Sequence, residues 1–500
     1  MSKIKSIIAI VILIISWCLM FWITGNRTPW QAFSSTDKGD GVSVFLGDIP
    51  SENYDRMGFT KGLIEYIVSK NAWLVGTDRG ELFLFDNSGK QIWKRSLGIG
   101  KLVSLCVSHD EKITFVGEQS PAGNLYAIDL DGGDILWKFA AEKVVGVEPD
   151  KRSYPSIVHI CIDKDDNVYA NAYRFVTAKD GGRGYNGKAV AFNKNGEQLW
   201  QFPESENIDS WINWCDVNDN NDKVVLSTSA YEIRPDMKYR DTMYLIDKKT
   251  GQLINSIEVP PVAPFENTVM RGSPNFSEDG EFLAAACSDG RGMLFDAAGK
   301  ALWQRELSKP AQIDNVWINA SGRDGFAAEA GVIFTTINTF NRENWQLPTP
   351  VEHPSNNSMF VFNYDGTFKY KYRALGTMEQ IDFSNNMAAC AVGRNVRTHN
   401  YAAHGAVVLD LNDGTELNFF HTEGPLQAGC SRPAPSGPAK ATPGRSFFRP
   451  YTHRDRRFCH GRTSRNSSRS RSSPGYGSAS LRHWLCGFPA PAGCPQYPAR

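Results

Sequence analysis

The 500-residue chain lacks net charge, with 54 basic residues balanced by 54 acidic ones. The balance hides a division. Residues 1–427 hold 41 basic and 53 acidic side chains, whereas residues 428–500 hold 13 basic ones and a single acid, Asp455. The mild acidity of the body argues against a nucleic-acid partner. Beyond residue 427 there is no Val and no Ile, and one Lys stands against twelve Arg among dense Pro, Ser and Gly. Such a segment cannot bury enough apolar surface to offset the entropy of ordering it, so 428–500 is expected to be a disordered tail. The abrupt exchange of Lys for Arg also fits translation in a shifted frame from near residue 428. Nothing functional is therefore assigned to Arg445, His453 or Cys459. Cysteine is scarce in the body and no two cysteines are adjacent. Apart from Cys18 in the N-terminal apolar run, Cys106, Cys161, Cys215, Cys287 and Cys390 are five, so they cannot all pair in disulfides, which argues against a disulfide or metal cluster as the alternative. Cys106, Cys161 and Cys215 fall at the same place in consecutive repeats. Equivalent positions in neighbouring blades should exceed the ~7 Å Cα separation that a disulfide tolerates. The expectation is small apolar residues buried in strands.

What the chain does have is glycine (44), proline (26) and aromatic rings (28 Phe, 17 Tyr, 13 Trp). That mixture suits an all-β chain with many short turns and rings packed between sheets. At the N-terminus, Lys3 and Lys5 precede an apolar run from Ile7 to Ile23 that only Ser16 interrupts. Seventeen helical residues at ~1.5 Å each span roughly 25 Å, close to the hydrocarbon core of a bilayer. The run ends in Phe21-Trp22-Ile23-Thr24-Gly25-Asn26-Arg27, a poor cleavage site, so residues 1–25 read as one transmembrane anchor, with a cleaved signal as the alternative. The lysines would stay cytoplasmic. An inner-membrane anchor would then hold the body in the periplasm or outside the cell, joined through a linker at 26–40.

Seven segments of the body share one pattern. They are LFLFDNSGKQIW (82–93), LYAIDLDGGDILW (125–137), AVAFNKNGEQLW (189–200), MYLIDKKTGQLIN (243–255), MLFDAAGKALW (293–303), MFVFNYDGTFKY (359–370) and VVLDLNDGTELN (407–418). Each is an apolar strand ending in Asp or Asn, a short turn containing Gly, and a second strand bearing an aromatic. The acid or amide can accept backbone N–H groups at the turn, and Gly supplies the positive φ of a tight hairpin. The turn residues are Asp86, Asp129, Asn193, Asp247, Asp296, Asn363 and Asp410, with Gly251 the clearest turn glycine. The ring positions are Trp93, Trp137, Trp200, Trp303 and Tyr370, replaced by Asn255 and Asn418 in two repeats. Two further strand-like runs precede each hairpin. Four strands per repeat, at acid spacings of 43 to 67 residues, predict the blades of a β-propeller over residues 41–427. Seven repeats are visible. An eighth blade would begin near Pro425 and be completed by residues 41–47, so the expectation is seven to eight four-stranded blades.

These hairpins resemble the PQQ-like repeat, whose pattern is roughly A-x-D-x-x-T-G-x-x-x-W. Asp247-Lys248-Lys249-Thr250-Gly251 and the run from Asp129 to Trp137 match it best. WD-type propellers match less well, since no Gly-His and Trp-Asp pair recurs. The resemblance implies that each repeat Trp docks against the neighbouring blade. It also offers two kinds of relative: periplasmic quinoprotein dehydrogenases, and the lipoprotein scaffold of the outer-membrane β-barrel assembly machine. The dehydrogenases carry a vicinal disulfide that this chain, with no Cys-Cys pair, cannot form. The expectation is therefore a non-enzymatic scaffold without a cofactor, binding a protein or an unknown ligand at a propeller face. An oxidoreductase using PQQ and calcium is the alternative.

Other chemistry is weaker. Asp163-Lys164-Asp165-Asp166-Asn167 and the run from Asp216 to Asp222 place oxygen ligands at alternate positions, as calcium loops do. Both lie between strands, where Asp and Asn are ordinary turn residues. His399 and His404 lack a neighbour at metal spacing, and the glycines of 179–184 have no helix after them. Long insertions at 172–186, 231–241 and 340–357 are the expected face loops, with Tyr185, Arg342 and Trp345 the candidate binding residues.

Overall fold

Middle strands such as Ala72–Gly76 and Glu81–Asp86 are apolar and buried on both faces, the last strand of a blade such as Gln91–Ser96 is largely exposed, and the turn acids fold successive strands back on one another. The computed structural model describes residues 63–147, 154–178, 181–229, 237–239, 242–263, 265, 268–342, 349, 351–384, 387–392, 405–421, 429–430 and 447–448. Among these the chain is almost wholly strand, with one short helix at Glu142–Val145. The apolar run at 7–23 lies outside the described residues, as does the candidate strand at 41–47. Among the described residues no helix is long and apolar enough to cross a membrane.

Seven antiparallel meanders follow one another along the described residues, with strands pairing to their sequence neighbours inside each blade; a further pairing, Gln119 opposite Ser156, joins blades 2 and 3. Blades 1 to 7 cover 64–96, 101–140, 156–202, 211–258, 275–306, 311–373 and 378–421. Blade 6 carries an extra short strand at its start, Ala311–Ile313. The first long strand of each blade is its innermost. These inner strands touch in succession from Ile64–Ile67 through Lys101–Val107, Ser156–Ile162, Trp211–Asn218 and Asn275–Phe276 to Val316–Ala328. The pair Gly429–Cys430 lies against both the first inner strand and Met378–Ser384 of blade 7, where the ring returns on itself. This is a β-propeller, and its core is the set of apolar layers between blades rather than one central cluster.

Blades 3 and 4 show how such a layer is built. Tyr169, Ala191 and Trp200 of blade 3 meet Cys215, Val224, Leu226 and Ile246 of blade 4 in one buried cluster. Each strand sends alternate residues into the layer on either side, so one substitution touches one interface only.

Candidate functional site

The repeat turns behave alike. Asp86 Oδ1 accepts the N–H groups of Ser88 (2.8 Å) and Lys90 (3.0 Å), and Asp296 Oδ1 those of Ala298 (3.0 Å) and Lys300 (2.9 Å). Asn193 does the same with its amide oxygen, at 3.0 Å to Asn195 and to Glu197. Asp247 accepts from Thr250 N at 2.8 Å, Asp410 from Asn412 N at 2.8 Å, and Asp129 from Gly132 N at 2.6 Å. Asn363 closes its turn through its backbone carbonyl, which accepts Gly366 N–H at 2.9 Å.

Each ring reaches the next blade. Trp93 Nε1 donates to Leu130 O (3.1 Å), Trp137 to Lys194 O (2.9 Å), Trp200 to Lys248 O (2.8 Å) and Trp303 to Tyr364 O (2.8 Å). Tyr370 reaches Leu411 O through its hydroxyl at 2.7 Å. The acceptor is always the residue after the next blade's turn acid or amide. Asn255 keeps the role without a ring, its Nδ2 donating to Ala298 O at 2.9 Å. The indole also lies flat on the next turn's glycine: a Cβ at Gly251, where φ is +72°, would fall 2.7 Å from the Trp200 ring. The glycine is thus required both by its conformation and by its neighbour.

The two acidic loops converge on one cation. Lys248, buried at the Trp200 docking point, sends its ammonium toward Asp163 Oδ2 (3.5 Å), Asp222 Oδ1 (3.5 Å) and, closer still, Asp219. Asp163 also accepts Tyr169 OH at 2.9 Å and Asn167 N at 2.9 Å. These residues of blades 3 and 4 are therefore engaged by a lysine and by turn N–H groups. Burial of Tyr169 beside the Asp163 carboxylate pushes its phenol far above the usual range. Among the described residues no group of three or more His, Cys, Asp or Glu is placed to hold a metal ion.

The expected face loops need correction. The insertion at 172–186 is a continuation of its blade: pairing runs without a break in register from Ala172 opposite Lys188 to Thr177 opposite Arg183. Tyr185 sits opposite Phe175, with ring centroids 5.3 Å apart, and is only 4% exposed. Alternating Tyr173, Phe175 and Tyr185 supply an apolar face that draws the hairpin inward, so Tyr185 is a packing residue. Of 231–241 the described part turns back on blade 3, where Tyr239 OH donates to Glu206 Oε1 at 2.9 Å. Trp345 lies outside the described residues.

Arg342 does lie at an edge. It follows the long hairpin of Val316–Ala328 and Gly331–Asn341, and its backbone N–H donates to Trp317 O at 2.6 Å. Its guanidinium donates to Ala263 O (2.9 Å) and stands 5.6 Å from the Phe265 ring, which packs on Phe340 at 5.4 Å. Beside this anchor Trp317 (39% exposed) and Val262 (37%), which precedes Ala263 in the chain, face solvent. Trp317 was not among the sequence candidates. It sits in a strand at the point where the hairpin outgrows its neighbours, which strand periodicity alone does not reveal.

A second correction concerns the cysteines. Cys161 Sγ and Cys215 Sγ lie 3.3 Å apart across the blade 3–blade 4 layer, far closer than equivalent positions should be. The registers explain why. Asp163 and Asn218 open corresponding turns, so Cys161 corresponds to Asp216 and Cys215 to Ile160. Cys215 is displaced by one residue, and in a strand one residue reverses the face.

The family model described as outer membrane protein assembly factor BamB matches residues 78–329. Among solved structures, the computationally designed Ika8 protein is similar over 74% of this chain and 89% of its own, at 13% identity and a TM-score of 0.42. BamB from Moraxella catarrhalis is similar over 67% of this chain and 95% of its own, at 14% identity and a TM-score of 0.38. No curated protein sequence matches the chain.

Proposed function

We propose that this chain, which belongs to the PQQ-repeat propeller family of the outer membrane protein assembly factor BamB, is a non-enzymatic scaffold that binds a protein partner. In this reading the run at 7–23 tethers it to the inner membrane, the propeller lies in the periplasm or outside the cell, and assembly of other proteins is its role. The observation that carries the binding claim is the exposed Trp317 beside the Arg342 anchor. An indole, a valine and a guanidinium near the end of an extended hairpin form the kind of aromatic and Arg patch that dominates protein interfaces. The reading takes no cofactor. The carboxylates that most resemble a calcium loop are engaged by Lys248, which supports a structural role for them.

Crosslinking the chain in its native membrane, with wild type beside Trp317→Ala and Arg342→Ala, tests the proposal. A partner captured by wild type and lost from both folded variants supports it. Capture unchanged by either substitution removes the patch from the interface. In a parallel assay with PQQ, Ca²⁺ and a dye acceptor, robust dehydrogenase turnover would replace the scaffold reading with an oxidoreductase.

A further inference from the structure

We propose that Cys161 and Cys215 are a redox pair that forms a reversible disulfide, locking the inner strands of blades 3 and 4 together. The inference goes beyond the scaffold reading and does not depend on it. Three observations converge. The thiols are 3.3 Å apart, so closure needs a shift of about one ångström toward the usual disulfide bond length. They come from different blades, 54 residues apart in sequence, so the bond would bridge an interface that is otherwise non-covalent. Cys161 is partly buried, whereas Cys215 is fully buried, so Cys161 is the nearer of the two to solvent and the one assigned to meet the oxidant, with Cys215 resolving the intermediate.

The chemistry balances with a small-molecule disulfide as oxidant. The Cys161 thiolate attacks one sulfur of oxidised glutathione, forming a mixed disulfide and releasing one glutathione thiolate, which takes up a proton. The Cys215 thiolate then attacks the Cys161 sulfur and expels the second glutathione. The protein loses two electrons and two protons, and one glutathione disulfide becomes two thiols. Burial holds the Cys161 thiol well above its ordinary range, so little thiolate is present at neutral pH and closure is slow there. Closure should accelerate about tenfold per pH unit between pH 7 and 9, following the thiolate fraction. Oxidation should raise the thermal midpoint by several degrees, because the closed loop restricts the unfolded chain.

The test uses the full-length protein, incubated with oxidised glutathione, denatured with an alkylating reagent present, and digested with trypsin. The expected product joins peptide 153–164, which contains Cys161, to peptide 195–223, which contains Cys215. Dithiothreitol should separate them. Cys161→Ser and Cys215→Ser should each abolish the linked species, while Cys106→Ala should leave it intact. The wild-type mass result stands even if a serine variant folds poorly. Full alkylation of both thiols after prolonged oxidation at pH 9 would overturn the proposal. So would Cys161 joined to Cys106, or Cys161 carrying only glutathione.

Discussion

Trp200 donates its indole N–H to the backbone carbonyl of Lys248 at 2.8 Å, and the side chain of that same lysine turns back to the acidic loops of blades 3 and 4. One residue thus receives the hydrophobic dock and neutralises the charges beneath it. The arrangement ranks the repeat positions. Trp200→Ala should remove both a buried ring and its hydrogen bond, at a cost of ~3–5 kcal/mol. Asn255→Ala removes one exposed hydrogen bond to Ala298 O and should cost about 1 kcal/mol or less. Urea unfolding midpoints of the two variants check the order. Equal losses would mean that the ring contributes nothing beyond its N–H.

Gly251→Ala tests the other side of the same contact. The new methyl would meet the Trp200 ring at 2.7 Å while the backbone stays at a φ of +72°. Together these should destabilise the fold by about 1–3 kcal/mol. In a Trp200→Ala background the clash disappears and only the backbone strain remains, so the second Gly251→Ala cost should be smaller. A cycle of the four proteins measures that difference.

Much of this was legible in the chain. The acid, the glycine and the ring lie within one hairpin, so local spacing exposes them, and even Asn255 keeps its place though it breaks the pattern. Residues whose partners lie in another blade were harder to read. The alternation of Tyr173, Phe175 and Tyr185 was a visible sign of a paired strand, but the length of the insertion suggested a loop. Cys161 and Cys215 sit in similar sequence surroundings that suggest one repeat position; the turn residues Asp163 and Asn218 put them one residue apart, which turns them toward each other. Lys248 looked like a turn residue because its three acidic partners are 26 or more positions away.

That lysine gives the next prediction. Lys248→Met keeps the volume of the stem but leaves the buried Asp163 facing an apolar sulfur. Removing one partner of a buried ion pair costs ~3–5 kcal/mol, because the other charge loses its compensation. Adding Asp163→Asn should recover part of the loss, so the double variant should be more stable than the sum of the single effects predicts. Thermal or urea unfolding of the three variants beside wild type decides it; strict additivity would show that the ammonium and carboxylate do not interact.

Asp216 gives the fold a pH dependence of definite sign. Its carboxylate accepts Phe276 N–H from blade 5 at 2.7 Å, and burial pushes its carboxyl up from 3.8 to about 6. The folded chain therefore holds this proton more tightly than the unfolded chain does. The resulting stabilisation is complete below pH 3.8 and is lost as the pH rises through 6, so this group makes stability fall with increasing pH across that window. Asn at this position keeps an oxygen to accept Phe276 N–H but binds no proton. Unfolding midpoints measured from pH 4 to pH 7 should show Asp216→Asn gaining on wild type as the pH rises, with the gain levelling off above 6. Parallel curves would mean that water reaches the carboxylate freely and that the inner strands of blades 4 and 5 do not enclose it.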